Sequence, residues 1–314
     1  MLERGNKFIE KWMALVTPLC MLVGISFPDV AAHGLPYVTV VFAFITFTGA
    51  LKSEFKDILR VFHDPKPLLC MLVMIHVVIP AAACGAGHLF FGSDPYAITG
   101  MVLEFSVPTA VVGLMWVTIY NGNNPLSLSL VVIDTILSPF LLPVTLRVLV
   151  GSQVEIDATM MMRQLIFMVA LPAIAAMVLN QVTHGAVKNT WPKKLALFSK
   201  FALMFVVTSN SSKVAPYVRH MNLERVAIGA AILVLAAGSY ALGWDVARVL
   251  HQDKETTISM IYGTGMRNIS TGAVIAGACF PGAVMYPVMI GTLFQQMLAA
   301  LYGKVLVSKL EERH

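Results

Sequence analysis

One arginine, Arg267, falls midway along an apolar stretch, residues 256–280, that is long enough to cross a bilayer; around it runs Gly263-Thr264-Gly265-Met266-Arg267-Asn268. A guanidinium at membrane depth costs roughly 2.5–3.5 kcal/mol on insertion scales, so such a residue marks a site before it marks anything else. Two carboxylates also fall inside apolar stretches, Glu104 and Asp134. The chemistry open to these three groups is charge pairing, recognition of an anion by the planar guanidinium, and uptake or release of a proton by a carboxylate. Arg267 would supply a permanent positive charge, with Asp134 or Glu104 as its counter-ion; a purely structural ion pair is the competing reading. His76 and His88 lie in a further apolar stretch, where a histidine relays protons or ties its helix to a neighbour.

The elements that must position these residues are membrane helices. Of the 314 residues, 57% are hydrophobic and only 12% charged, and the mean hydropathy is +0.77, beyond what a soluble domain of this size requires. Runs near the ~20 residues that a bilayer demands give ten spans, near 12–28, 35–51, 67–91, 96–121, 125–149, 161–182, 195–212, 225–249, 256–280 and 283–307. Two of them are interrupted. In the ninth, the two glycines flanking Thr264 loosen the helix that carries Arg267. In the fourth, Pro108 lacks an N–H and disfavours helix at the residue before it, which breaks Ser106-Val107-Pro108-Thr109. Backbone leaves the helix inside a membrane only where protein or a wet cavity satisfies its polar groups, so paired breaks point to a binding site.

The net charge of +5 and pI of 9.0 are topology signals and not a nucleic-acid patch. With the amino terminus inside, the inner turns collect Arg4, Lys7, Lys11, Lys52, Lys56, Arg60, Lys66, Lys188, Lys193, Lys194, Arg248, Lys254, Lys304, Lys309 and Arg313. The outer turns hold Arg147, Arg163, Lys213, Arg219 and Arg225. This bias places both termini on the cytoplasmic side of the cytoplasmic membrane, with the basic turns against anionic lipid. The first apolar run lacks a small-residue cleavage site and is a retained span. Cys20, Cys70, Cys84 and Cys279 show no paired spacing for a metal or a disulfide framework.

The chain also repeats. A shift of 161 sets Lys52 on Lys213 and Ser106 on Arg267. Five spans per half force the second half, residues 156–314, to enter from the face opposite to the first, residues 1–150; this is the inverted-repeat plan of secondary transporters.

Glu104-Phe105-Ser106-Val107-Pro108-Thr109-Ala110, Ser138-Pro139, Gly265-Met266-Arg267-Asn268 and Pro287 ahead of Gln295-Gln296 together resemble the bile acid:sodium symporter family, over nearly the whole chain and in the right order. The resemblance implies an all-α polytopic membrane protein of ten transmembrane helices in two inverted five-helix repeats. A panel domain would hold spans 1, 2, 6 and 7, and a core domain spans 3–5 and 8–10, with broken helices 4 and 9 crossing in the core and organic anions binding beside the crossing. Thr109, Asn268, Gln295 and Gln296 match cavity-lining positions. Sodium-coupled members carry Glu-x-Gly-Met-Gln-Asn in span nine, where this chain has Gly263 and Arg267 at the carboxylate and glutamine positions. Their Ser-Asn pair falls at Gly113-Leu114 and a span-five threonine at Val131, leaving Ser127 as a former ligand.

The expected activity is therefore alternating-access transport of a small organic anion, with no cofactor and a proton favoured over sodium as the coupling ion. An intramembrane enzyme would need clustered acids or His-Glu-x-x-His, and here the loops hold lone acids such as Asp29, Asp94 and Asp157. The auxin efflux carrier family shares the ten-span, inverted, broken-helix plan, and Val107-Pro108-Thr109 fits it, but Gly-Met-Arg-Asn does not. A channel or a ligand sensor would use the same architecture without pumping. The partners expected are an organic anion and membrane lipid, and no nucleic acid.

Overall fold

The computed structural model describes residues 15–54, 65–152 and 154–311. Arg4, Lys7, Lys11, Lys56, Arg60 and Arg313 of the charge bias, and the start of the first span, lie outside them. The described residues form twelve helices and no strand. In chain order these are α1 (Leu15–Ser26), α2 (Pro28–Ala50), α3 (Lys66–Phe91), α4 (Pro95–Ser106), α5 (Gly113–Ile119), α6 (Asn124–Val150), α7 (Ala158–Val182), α8 (Ala186–Arg219), α9 (Leu223–Val249), α10 (Lys254–Gly265), α11 (Ile269–Cys279) and α12 (Gly282–Glu311). Seven of them, α2, α3, α6, α7, α8, α9 and α12, are long and apolar enough to cross a membrane alone. Two pairs, α4 with α5 and α10 with α11, are each one apolar path broken in the middle.

Local sequence dictates where the helices start. Asp94, Asn123, Asp157, Asn222, Asp253 and Asn268 each accept a backbone N–H of the first turn they precede, satisfying donors that a helix start otherwise leaves orphaned. Inside α3 and α7, one π-helical turn, Met74–Val78 and Ile166–Ala170, lies just ahead of Pro80 and of Pro172. A proline ring clashes with the carbonyl four residues back, and the widened turn absorbs that clash.

The surface is inverted relative to a soluble protein. Leu89, Val148, Val30 and Val249 are at least 73% exposed, whereas Asp134, Ser129, Ser138, Ser259 and Thr264 are fully buried. Apolar side chains on the outside and polar ones within suit a hydrocarbon solvent.

Contacts between turns tie the helix ends together in sets. Asn180 donates to the carbonyls of Leu51 and Ser53, and Lys188 pairs with Glu54 at 2.7 Å. Arg219 donates to Ile25 and Ser26, joining the end of α8 to the end of α1. The Asn123 N–H donates to the Glu255 carbonyl, joining the start of α6 to that of α10. In the interior, α4 packs on α3, α6 and α12, and α10 packs on α9, α6 and α5.

Candidate functional site

The two interruptions meet. Helix α4 ends where Val107 turns extended (φ −66°, ψ 153°) and α10 where Met266 does (φ −99°, ψ 125°). The freed segments meet antiparallel in a single bridge, with Thr109 opposite Arg267. The Ala110 N–H donates to the Met266 carbonyl (3.2 Å) and the Asn268 N–H to the Pro108 carbonyl (2.7 Å). Each break thus supplies the hydrogen bonds that the other lost, which is how irregular backbone survives away from water. The helix runs on through Gly263, Thr264 and Gly265, so the second interruption is confined to Met266-Arg267-Asn268. This corrects the expectation that the glycines loosen it. A Cβ on Gly265 would lie 2.3 Å from the Tyr240 ring, and one on Gly263 would lie 2.7 Å from Leu130 Cδ2 and 2.8 Å from Met71 Sδ. Both glycines are there for close approach. Thr264 is turned to backbone, donating to the Met260 and Ser239 carbonyls.

Asp134, fully buried in the middle of α6, accepts the Thr109 N–H on Oδ2 at 2.6 Å. Its other oxygen lies 2.9 Å from His76 Nε2, in contact but off the line of a hydrogen bond. His76 belongs to the π turn of α3, and Pro80 follows it by four residues. The Thr109 hydroxyl donates to the Gly263 carbonyl at 2.6 Å. Arg267 is only 2% exposed, and its backbone N–H donates to Gln295 Oε1 at 3.0 Å. Its three guanidinium nitrogens have no hydrogen-bond partner among the described residues, and no carboxylate of those residues comes within ion-pair distance. Asp134, Glu104 and Tyr240 are the titratable groups within its electrostatic reach. Glu104 is 3% exposed, and its Oε2 is unpartnered among the described residues. Its carboxylate fills a notch in α12 that exists because residue 291 is glycine; a Cβ there would come 2.1 Å from Oε1.

Of the remaining sequence candidates, Asn268 caps α11 by accepting the Thr271 N–H. Gln296 accepts from Trp116 Nε1 at 3.0 Å, which links α12 to α5. The adjacent glutamines thus serve the two interrupted paths, Gln295 the second and Gln296 the first. Met266 is packed among Tyr240, Tyr262 and Val117. Ser127, 4% exposed with Oγ unpartnered among the described residues, lines a cavity of about 10 Å³ with Thr109, Gly113, Leu114, Val131 and Gly263. Three participants were not legible as such: Tyr240, Gly291 and Trp116. A tyrosine in the middle of the apolar run 225–249 was the available signal for the first, because a buried phenol needs a partner. The four cysteines are free.

Residues 39–221 match the Sodium Bile acid symporter family. The chain belongs to this family. Over 297 residues, 94% of this chain and 96% of the relative, it is 38% identical to the uncharacterized protein YbaS of Bacillus subtilis. It is 23% identical to the uncharacterized sodium-dependent transporter YocS of the same organism, over 92% of this chain and 89% of that one. A probable chloroplastic sodium/metabolite cotransporter of Arabidopsis thaliana is 22% identical over 81% of this chain and 63% of its own length. As a member of the sodium bile acid symporter family the protein is an integral membrane transporter and not an enzyme, and a small-molecule substrate follows from the family. Its match to the family ends before α10, so Arg267 lies outside the matched segment.

Proposed function

We propose that this transporter moves a small organic anion across the cytoplasmic membrane by alternating access, with the anion's carboxylate bound at the meeting of the two interrupted helices. The observation that carries the reading is the Arg267 guanidinium, buried at the Thr109–Arg267 bridge with none of its nitrogens partnered among the described residues. A desolvated guanidinium offers two parallel donors to a carboxylate. Beside it, the amino terminus of α11 adds a partial positive charge. Thr109 stands opposite Arg267 in the bridge, Asn268 follows Arg267 in the chain and Gln295 accepts the Arg267 N–H, while Gln296 is tied to Trp116.

The architecture is ten spans in two inverted repeats, residues 1–150 and 156–314, with both termini cytoplasmic. Turns that a ten-span path puts on one face are the ones that bond each other, as with Asn180 and Lys188 to residues 51–54 and Arg219 to Ile25 and Ser26. At the crossing the exchange of hydrogen bonds is reciprocal, relating Pro108 to Met266 and Ala110 to Asn268, a shift of 158 in both pairs. That shift lies three residues from the register read off the sequence. A panel of spans 1, 2, 6 and 7 would move against a core of spans 3–5 and 8–10.

Coupling is by protons and not by the usual pair of sodium ions. A hard cation takes oxygen ligands, and the cavity beside Ser127 is lined largely by Gly113, Leu114, Val117, Leu130 and Val131. Arg267 itself supplies the fixed positive charge. Uptake of radiolabelled monocarboxylates, from acetate to cholate, into proteoliposomes tests this. Accumulation above the outside concentration under a pH gradient, with sodium replaceable by potassium, is expected; a strict sodium requirement, or no flux of any acid, would refute it.

A further inference from the structure

We infer that Lys213 is a latch: its bond to the Gly277 carbonyl holds the panel against the core on the outer face, closing the crossing from outside until that bond is released. The inference rests on the alternating-access reading above and names the residue that decides which face is shut.

The sequence builds both halves of the contact. Pro281 disfavours helix at the residue before it, and Phe280 is extended there (φ −136°, ψ 159°), which ends α11. The Ala276 carbonyl still receives the Phe280 N–H. The next carbonyl, that of Gly277, would need the N–H of residue 281, and a proline has none. Gly277 is therefore left with an orphaned acceptor at the negative end of the α11 dipole, where a cation is favoured. Lys213 of α8 supplies the donor, with Nζ 2.5 Å from the Gly277 oxygen. Its neighbours on α8 do not reach across in this way: Ser211 and Ser212 turn their hydroxyls onto the Val207 and Ser209 carbonyls of their own helix. Lys213 is half-buried, and a hydrogen bond shielded from water is stronger than one on the surface.

The contact seals as well as binds. A Cβ on Gly277 would lie 2.8 Å from Met285 Cε, 3.7 Å from Lys213 Nζ and 3.8 Å from Asn210 Oδ1. Asn210 and Lys213, about one turn apart on α8, thus lie over the same glycine. Helix α8 also closes on the start of α12, where a Cβ on Gly282 would lie 3.4 Å from the Lys213 carbonyl and 3.6 Å from the Tyr217 ring. In the ten-span reading α8 belongs to the panel and α11 and α12 to the core, and all three meet at their outer ends. Lys52, which the shift of 161 sets on Lys213, is exposed instead. Asn210 makes the seal reversible. It is 2% exposed, and its Nδ2 has no partner among the described residues. A buried unpaired donor is costly, and parting the panel from the core returns it to water, which offsets part of the lost Lys213 bond. Two arrangements close in free energy are what alternating access needs.

The test places a thiol in the seal with Asn210→Cys. A membrane-impermeant maleimide is added to right-side-out vesicles, and labelling of that peptide is followed by mass spectrometry, which keeps the native cysteines apart. Labelling is expected to be slow with Lys213 present and roughly 10- to 100-fold faster in Lys213→Met, the shift that losing one charge-assisted hydrogen bond gives. Lys213→Arg still donates and is expected to stay near the parent rate. Lys213→Gln, which loses the charge, is read in the same way if the methionine variant does not fold. A mere brace would also loosen, so a second readout separates the two: the KM for acid added outside, with asparagine restored at 210 and whichever acid of the acetate-to-cholate panel exchanges fastest. Lys213→Met is expected to lower that KM, because the outward-open state is more populated, whereas a weakened brace would cost maximal rate alone. Unchanged labelling, or a KM that holds or rises, would overturn the latch. Labelling needs no substrate, so exchange of no acid at all would sink the carrier reading while the labelling rates still decide the latch.

Discussion

Replacing Arg267 by methionine removes the guanidinium to which the anion's carboxylate is assigned, and its effect can be sized. Two parallel charge-assisted hydrogen bonds contribute about 1.5–3 kcal/mol each, so losing both weakens anion binding by about 3–6 kcal/mol, or roughly 10²- to 10⁴-fold in Kd. Arg267→Lys keeps the charge but not the fork, and is expected to lose about one such bond, or roughly 10- to 100-fold. The substitution has a second effect that must be kept apart from the first. Glu104 and Asp134 both lie within the field of the guanidinium without being bridged to it, and removing the opposite charge leaves those buried carboxylates less compensated. Arg267→Met is therefore expected to lower the unfolding temperature as well. The double variant Arg267→Met, Glu104→Gln removes one charge of each sign and is expected to recover most of that stability while binding as weakly as the single variant. Intrinsic tryptophan fluorescence on heating reports the fold, and titration with a labelled acid reports the Kd. A folded double variant with wild-type affinity would refute the assignment of the anion to Arg267.

Three further substitutions probe the packing around the bridge. Gly265→Ala drives a methyl to 2.3 Å from the Tyr240 ring, whose hydroxyl is tied to the Gln295 carbonyl, so a loss of about 1–3 kcal/mol is expected in thermal unfolding; Gly263→Ala, which meets the flexible ends of Leu130 and Met71, is expected to cost less. Gly291→Ala displaces the Glu104 carboxylate, and a double-mutant cycle with Glu104→Ala is expected to give a coupling of about 0.5–3 kcal/mol, whereas additivity would contradict the notch. Ser127→Ala deletes a hydroxyl with no partner among the described residues; unfolding within about 0.5 kcal/mol of wild type and an unchanged response to sodium are expected, and loss of a sodium-induced thermal shift would argue for a working sodium site.

The membrane class, the helix starts and both breaks are legible in the sequence because each follows from chemistry local to a few residues. Pro108 cannot donate, Asp94 stands directly ahead of the helix-starting Pro95, and a charge such as Arg267 inside an apolar run marks a buried site. What the chain does not disclose is which buried groups meet: among the described residues no carboxylate bridges Arg267, and Asp134 meets His76 instead. His76 and Asp134 are 58 positions apart, and nothing in either neighbourhood names the other until α3 and α6 pack. Gly263 and Gly265 read as helix breakers because glycine weakens an isolated helix; in the fold they are contact points for Tyr240, Leu130 and Met71, and the helix passes through them. Asn268 read as a cavity amide, yet its side chain also caps α11, a role that an asparagine at the head of an apolar run could have signalled. Which backbone groups meet at the crossing depends on which carbonyl each freed N–H finds, and no local pattern gives that.

The most direct measurement is the position of a bromine-labelled monocarboxylate, located by anomalous scattering in crystals of the transporter. The carboxylate is expected at charge-assisted hydrogen-bond distance from the Arg267 guanidinium, about 2.7–2.9 Å, beside the strands at Thr109 and Asn268. A carboxylate seated elsewhere, with Arg267 bridged directly to Glu104 or Asp134, would contradict the account.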